Sequence, residues 1–118
     1  MATREELREA LDDYIAQAGK SERVLRSLRN WNCVIYFEAS DIGASFTMTI
    51  KDGKVTVSDD AQGVADLIVR GSSEDLADIF WGDANPASNY MQGAIKIQGS
   101  QEDVMRLDAM AMLIYLGG

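Results

Sequence analysis

The chain has 118 residues, enough for one domain with a single core, and its 47% hydrophobic and 25% charged residues are the balance of a globular protein. Eleven Lys and Arg against nineteen Asp and Glu leave a formal net charge of −8, which argues against a nucleic-acid partner and against docking on anionic lipid by charge. The lack of histidine removes the commonest general base and transition-metal ligand, and the single Cys33 has no partner for an internal disulfide, as expected of a cytoplasmic protein.

Along the chain, Thr3 and Glu6 form a capping-box pattern that opens a helix. Leu7, Ala10, Leu11, Tyr14, Ile15 and Ala18 then line one face of it, and Gly19 is its expected stop. Ser21 caps a shorter second helix with Val24, Leu25 and Leu28 inward. From Cys33 to Phe37 a continuous apolar, β-branched and aromatic run predicts a strand covered on both faces. Ala44, Phe46, Met48 and Ile50 alternate with polar residues in a half-buried strand. Asp52-Gly53 suits a type I′ turn into Val55-Thr56-Val57. A polar loop from Asp59 to Gly63 precedes a fourth strand over Asp66 to Arg70.

Ser72 then caps a helix carrying Leu76, Ala77, Ile79 and Phe80, closed by Gly82. Asn85-Pro86 predicts another short helix, because proline loses nothing at the first helical position. Ala94 to Gln98 alternates as a fifth strand, and Ser100 caps the final helix. No repeat or linker divides the chain, so residues 1–118 read as one α+β domain: five strands in a mainly antiparallel sheet, with helices covering one face. The longest apolar run, Ala109 to Leu116, is too short for a bilayer, and Arg4-Glu5-Glu6 leaves no room for a signal-peptide core.

Candidate chemistry is sparse. Cys33 has no histidine or nearby cation to activate it and reads as a core residue. Asp12 and Asp13 diverge by about 100° on a helix, and Asp59-Asp60 lacks the further oxygens of a calcium loop, so no metal and no cofactor are expected. Asp108 stands out between Leu107 and Ala109 on a helix that becomes apolar all round, although its plain reading is the wet side of that helix. Met48, Met91, Met105, Met110 and Met112 supply adaptable apolar surface, and Trp31, Phe80, Trp81 and Tyr90 stand at element ends where they can rim a cavity. A helix end with more apolar surface than one face needs must bury itself, meet a partner or close over a greasy ligand.

Three segments resemble the sterol carrier protein type 2 family: Ser73-Glu74-Asp75-Leu76, then Gly82-Asp83-Ala84-Asn85-Pro86, then Tyr90-Met91-Gln92-Gly93-Ala94-Ile95-Lys96-Ile97-Gln98-Gly99. Lys51-Asp52-Gly53-Lys54-Val55 is similar to that family's hairpin. The resemblance implies helices packed on a five-stranded sheet around a hydrophobic tunnel for sterols, fatty acids, fatty acyl-CoA or phospholipids, with no catalytic residues. It places Phe46, Met48, Phe80, Tyr90, Met91, Gln92, Ile95 and the Met105 to Leu113 helix, with Met112, along the tunnel, Gln92 being the polar handle. Two features depart from the family. Ala94 stands where lysine is usual, and Leu116-Gly117-Gly118 replaces a Ser-Lys-Leu-type peroxisomal signal.

The leading expectation is therefore a non-enzymatic carrier of a long apolar ligand, without stable membrane insertion. The alternative is an accessory module that docks through its C-terminal helix on a partner enzyme or, as a homodimer, on itself. An enzyme built on Asp or Glu pairs ranks last.

Overall fold

The computed structural model describes residues 1–60, 63–85 and 92–117. Helix α1 (Arg4–Lys20) opens with the expected reciprocal cap: the Thr3 hydroxyl accepts the Glu6 N–H at 3.1 Å, and the Glu6 carboxylate accepts the Thr3 N–H at 3.4 Å. It does not stop at Gly19. The helix runs on to Lys20 and ends at Ser21, whose N–H donates to the Ala18 carbonyl at 3.3 Å. The Ser21 hydroxyl also accepts the Val24 N–H at 3.2 Å and so opens α2 (Glu22–Ser27). Because one serine in an extended conformation serves both helix ends, the left-handed freedom of glycine is not needed there.

Five strands follow: β1 (Cys33–Ala39), β2 (Ala44–Lys51), β3 (Lys54–Asp59), β4 (Leu67–Gly71) and β5 (Lys96–Gly99). They form one open sheet in the order β3-β2-β1-β4-β5, antiparallel throughout except for the parallel pair β1 and β4. The β2–β3 turn has φ of 53° at Asp52 and 78° at Gly53, the two positive values of a type I′ turn. Strand limits differ from expectation: β1 continues to Ala39, β3 extends from Lys54 to Asp59 into the expected loop, β4 lies one residue later at Leu67–Gly71, and β5 spans Lys96–Gly99, leaving Ala94 and Ile95 ahead of it.

Register decides which side chains share a face. Phe37 lies beside Phe46 and Val69, Val69 beside Ile97, and Ile35 beside both Met48 and Leu67. These side chains join Leu7, Leu11, Tyr14, Val24, Leu28 and Leu76 in one core, so the helices cover this face. The other face is partly covered too. To reach β4 from the edge strand β3 the chain must pass β2 and β1, and its described ends are tied down there. Thr47 Oγ1 donates to the Asp60 carbonyl at 2.7 Å and the Tyr36 hydroxyl donates to the Gly63 carbonyl. Tyr36 and Thr47, held by these two contacts, are buried on the outer face.

Ser72 caps α3 (Ser73–Trp81), its hydroxyl accepting the Asp75 N–H at 3.1 Å, and Gly82 ends the helix at φ 78°. Ser100 accepts the Asp103 N–H at 3.2 Å and opens α4 (Gln101–Tyr115). The helix expected from Asn85-Pro86 lies, from Pro86 on, outside the described residues.

Cys33 is buried, and that burial, with Asp103 and Asp66 nearby, pushes its thiol up to about 12. The acidic pairs serve as ion-pair partners: Arg8 meets Asp12 at 3.0 Å and also Asp59, while Arg4 meets Asp60 at 3.0 Å. Among the described residues no group of Cys, Asp and Glu is arranged to hold a metal, and no helix is long and apolar enough to cross a membrane.

Candidate functional site: an apolar cavity between sheet and helices

The parallel pair β1–β4 brings Phe37 and Val69 side by side, and β5 adds Ile97 at the edge. Over these residues α1 contributes Tyr14, α3 contributes Leu76, Ile79 and Phe80, and α4 contributes Leu107, Asp108 and Ala111. Together with Ile95 they enclose a cavity of about 40 Å³. Its frame is aromatic. Phe80 meets Phe37 edge-on, with ring centroids 5.0 Å apart at 88°, and meets Tyr14 at 5.5 Å and 54°. Such contacts hold rings in fixed relative orientation and stabilise beyond area burial by about 0.5–1.5 kcal/mol each. One wall has no room to spare, since a Cβ added to Gly71 would stand 2.4 Å from Ile95 Cδ1.

Polar atoms are few here. Tyr14 is 2% exposed, and the structure records no hydrogen bond to its hydroxyl among the described residues. Because no fully enclosed side-chain oxygen is left without a partner, that hydroxyl keeps a small accessible surface of its own on the cavity wall. Burial, reinforced by the charge of Asp108, holds the phenol protonated well above its ordinary range. Asp108 itself is solvent-exposed at the rim, and no Lys or Arg lines the cavity among the described residues.

Of the residues that the sequence placed along a tunnel, Phe80, Ile95 and, from the Met105 to Leu113 span, Leu107, Asp108 and Ala111 line this cavity. Phe46 is buried elsewhere, beneath the Arg4 guanidinium 5.1 Å above its ring and beside a shallow hollow with Arg8 and Asp59. Met48 is fully enclosed in the core at mid-sheet, next to Val57 of β3. Trp81 is 43% exposed at the end of α3 and Met105 is 64% exposed on α4. Met112 and Leu113 are half-buried on α4 without lining the cavity, and Gln92 is exposed. Tyr90 and Met91 lie outside the described residues. The lining residues that sequence reasoning did not select are Tyr14, Phe37, Val69, Leu76, Ile79 and Ile97. Tyr14 carried a signal, being the one polar-tipped side chain in the apolar stripe of α1, and Asp108, within the Met105 to Leu113 span, carried another by interrupting an apolar run.

Comparison with known proteins agrees with this architecture. Rat sterol carrier protein 2 is 30% identical over 69 residues, which cover 58% of this chain and 13% of that much longer protein. The structure of UbiJ-SCP2, a ubiquinone synthesis protein, superposes with a TM-score of 0.72 at 17% identity, covering 92% of this chain and 94% of that one. The sterol carrier protein domain 2 of Helicoverpa armigera superposes with a TM-score of 0.71 at 22% identity, covering 92% and 86%. At these identities the structural likeness speaks for the fold alone. Residues 11–112 match the SCP-2 sterol transfer family, a span covering most of the chain, and the chain belongs to that family.

Proposed function

We propose that this chain is a non-enzymatic carrier that holds a long apolar ligand between its sheet and its helices. The observation that supports this most is the makeup of the cavity: among the described residues, ten of the eleven that line it are aliphatic or aromatic, drawn from α1, β1, α3, β4, β5, α4 and Ile95. Membership of the SCP-2 sterol transfer family, and the names of the two sterol carrier proteins it matches, point the same way.

The cavity is about 40 Å³, whereas pockets for ligands of drug size run to about 300 Å³ or more. Binding is therefore coupled to opening. Helix α4 is the wall best placed to move: it buries only Leu107, Met110, Ala111 and Ile114, meets α1, α2 and β5 along one side, and leaves its other side in solvent. A ligand with about sixteen carbons gains roughly 12 kcal/mol by leaving water, at about 0.8 kcal/mol per CH₂, which offsets an opening that costs a few kcal/mol. Lipid extraction from purified protein, with displacement of a fluorescent apolar probe, tests the proposal. Neither co-purified lipid nor displacement by any long-chain lipid would sink it.

A second reading has its own observation. Met105, Tyr115 and Leu116 are exposed on or just after α4, Leu116 at 71%. That surface suits docking on a partner enzyme or a second copy. Sedimentation distinguishes the two readings: a concentration-independent monomer that still binds lipid leaves only the carrier.

A further inference from the structure

The carrier proposal leaves the polar end of the ligand unspecified, and the cavity wall bears on it. Among the described residues Tyr14 and Asp108 are the two polar side chains there, and they come from different helices. Tyr14 is enclosed, its ring meets that of Phe80 at 5.5 Å, and its hydroxyl has no hydrogen-bond partner among the described residues. Asp108 makes no ion pair and no hydrogen bond among the described residues, and it is close enough for its charge to act on the Tyr14 phenol. Nothing cationic among the described residues lines the space between them.

We propose that Tyr14 and Asp108 form the headgroup end of the pocket and select a ligand ending in a neutral hydroxyl over the carboxylate of equal chain length. This rests on the carrier reading above. A hydroxyl satisfies both residues at once, accepting from the phenol of Tyr14 and donating to the carboxylate of Asp108. A carboxylate headgroup can still accept from Tyr14. It must also sit beside the negative charge of Asp108 without a Lys or Arg among the described lining residues to compensate, which costs affinity. The surplus of acidic residues over basic ones adds to that bias at long range.

The experiment displaces a fluorescent apolar probe from the full chain with hexadecanol and, separately, with hexadecanoate at neutral pH. It is run on the unaltered protein and on Tyr14→Phe, Asp108→Asn and Asp108→Lys, each first checked for a cooperative melt. The unaltered protein is expected to prefer the alcohol by about tenfold or more, the equivalent of about 1.4 kcal/mol. Tyr14→Phe is expected to weaken the alcohol by about fivefold, the effect of one hydrogen bond. Asp108→Asn should narrow the preference and Asp108→Lys should invert it, a reversal that a merely structural role at an exposed position does not produce. If both lipids displace the probe with affinities within about twofold in every variant, headgroup selection by this pair is overturned and the carrier reading stands. If neither lipid displaces it from folded protein, the carrier reading fails and this inference fails with it.

Discussion

Replacing Ala111 with leucine puts the cavity itself to the test. Ala111 faces the space from α4, opposite the sheet, and is nearly buried. In a solid core the added carbons would overpack the site and cost about 1–3 kcal/mol. With about 40 Å³ of unfilled volume in front of it, the larger side chain fills space worth at most about 1 kcal/mol, at the about 24 cal/mol per Å³ of a closed void. The transfer of new methylenes from water adds to this, and the rotamer freedom that leucine loses takes part of it away. A net gain of about 1 kcal/mol raises the melting temperature by about 4 °C in a domain of this size. The same leucine occupies the entrance space a ligand needs, so affinity for an apolar probe should fall by about tenfold or more, as expected when about 1.4 kcal/mol of binding is lost. Thermal melts and probe titrations on the same preparation read both effects. A variant that is less stable by the overpacking amount refutes the cavity, and one that is more stable yet binds the probe normally refutes its role in binding.

Three further outcomes are expected. Gly71→Ala should destabilise by about 1–2 kcal/mol, since its Cβ arrives 2.4 Å from Ile95 Cδ1 and 3.3 Å from the Ala94 carbonyl. Adding Ile95→Val removes the clashing carbon, so a double-mutant cycle should show the two changes compensating; simple additivity would contradict the close approach. Cys33 should resist alkylation in the native state near pH 8 and react on unfolding; labelling at the rate of a free thiol in native protein would show that it is not buried. Its thiol pKa is raised from 9.0 to about 12, so its contribution to stability is complete below about pH 9 and is lost as pH climbs toward 12. Cys33→Ala should flatten part of that alkaline fall in melting temperature.

At the acid end, Asp41 takes hydrogen bonds from the Ser73 N–H at 2.8 Å and from the Ser73 hydroxyl at 2.9 Å. Burial opposes its ionisation, but these hydrogen bonds prevail and hold the carboxyl below its usual range. Its contribution is therefore present above the ordinary carboxylate pKa and fades as pH falls through the lowered one. Asp41→Asn should lower the melting temperature at pH 7 and make no difference in strong acid. A deficit that persists unchanged at low pH would contradict the charge-assisted account.

Local rules written in neighbouring residues made much of the fold legible. Thr3 with Glu6, Ser21, Ser72 and Ser100 cap their helices as spacing predicts, because each cap satisfies amides only three residues away. Asp52-Gly53 reverses the chain because its two positive φ values are a property of those residue types. The alternation in β2 separates Phe46 and Met48 from Ser45 and Thr49 because successive side chains point to opposite faces. Family motifs in the C-terminal half extend this to the overall architecture, through residues 73–99.

Sequence spacing alone could not say which apolar residues meet. Gly19 looked like a helix stop, yet Ser21 ends α1 by bonding into both helices at once. Phe37 and Phe80 are far apart along the chain, and only the parallel pairing of β1 with β4 and the seating of α3 bring their rings to 5.0 Å. Phe46 and Met48 are as apolar as Val69 and Ile97, but the strand order sends the first two to the β3 side of β1 and the last two to the cavity side. Apolar burial is non-directional, so it marks residues for the interior without assigning them to core or cavity. Strand order, register and the seating of the helices on the sheet make that assignment, and they also bring Tyr14 and Asp108, distant in sequence, to the wall of one cavity.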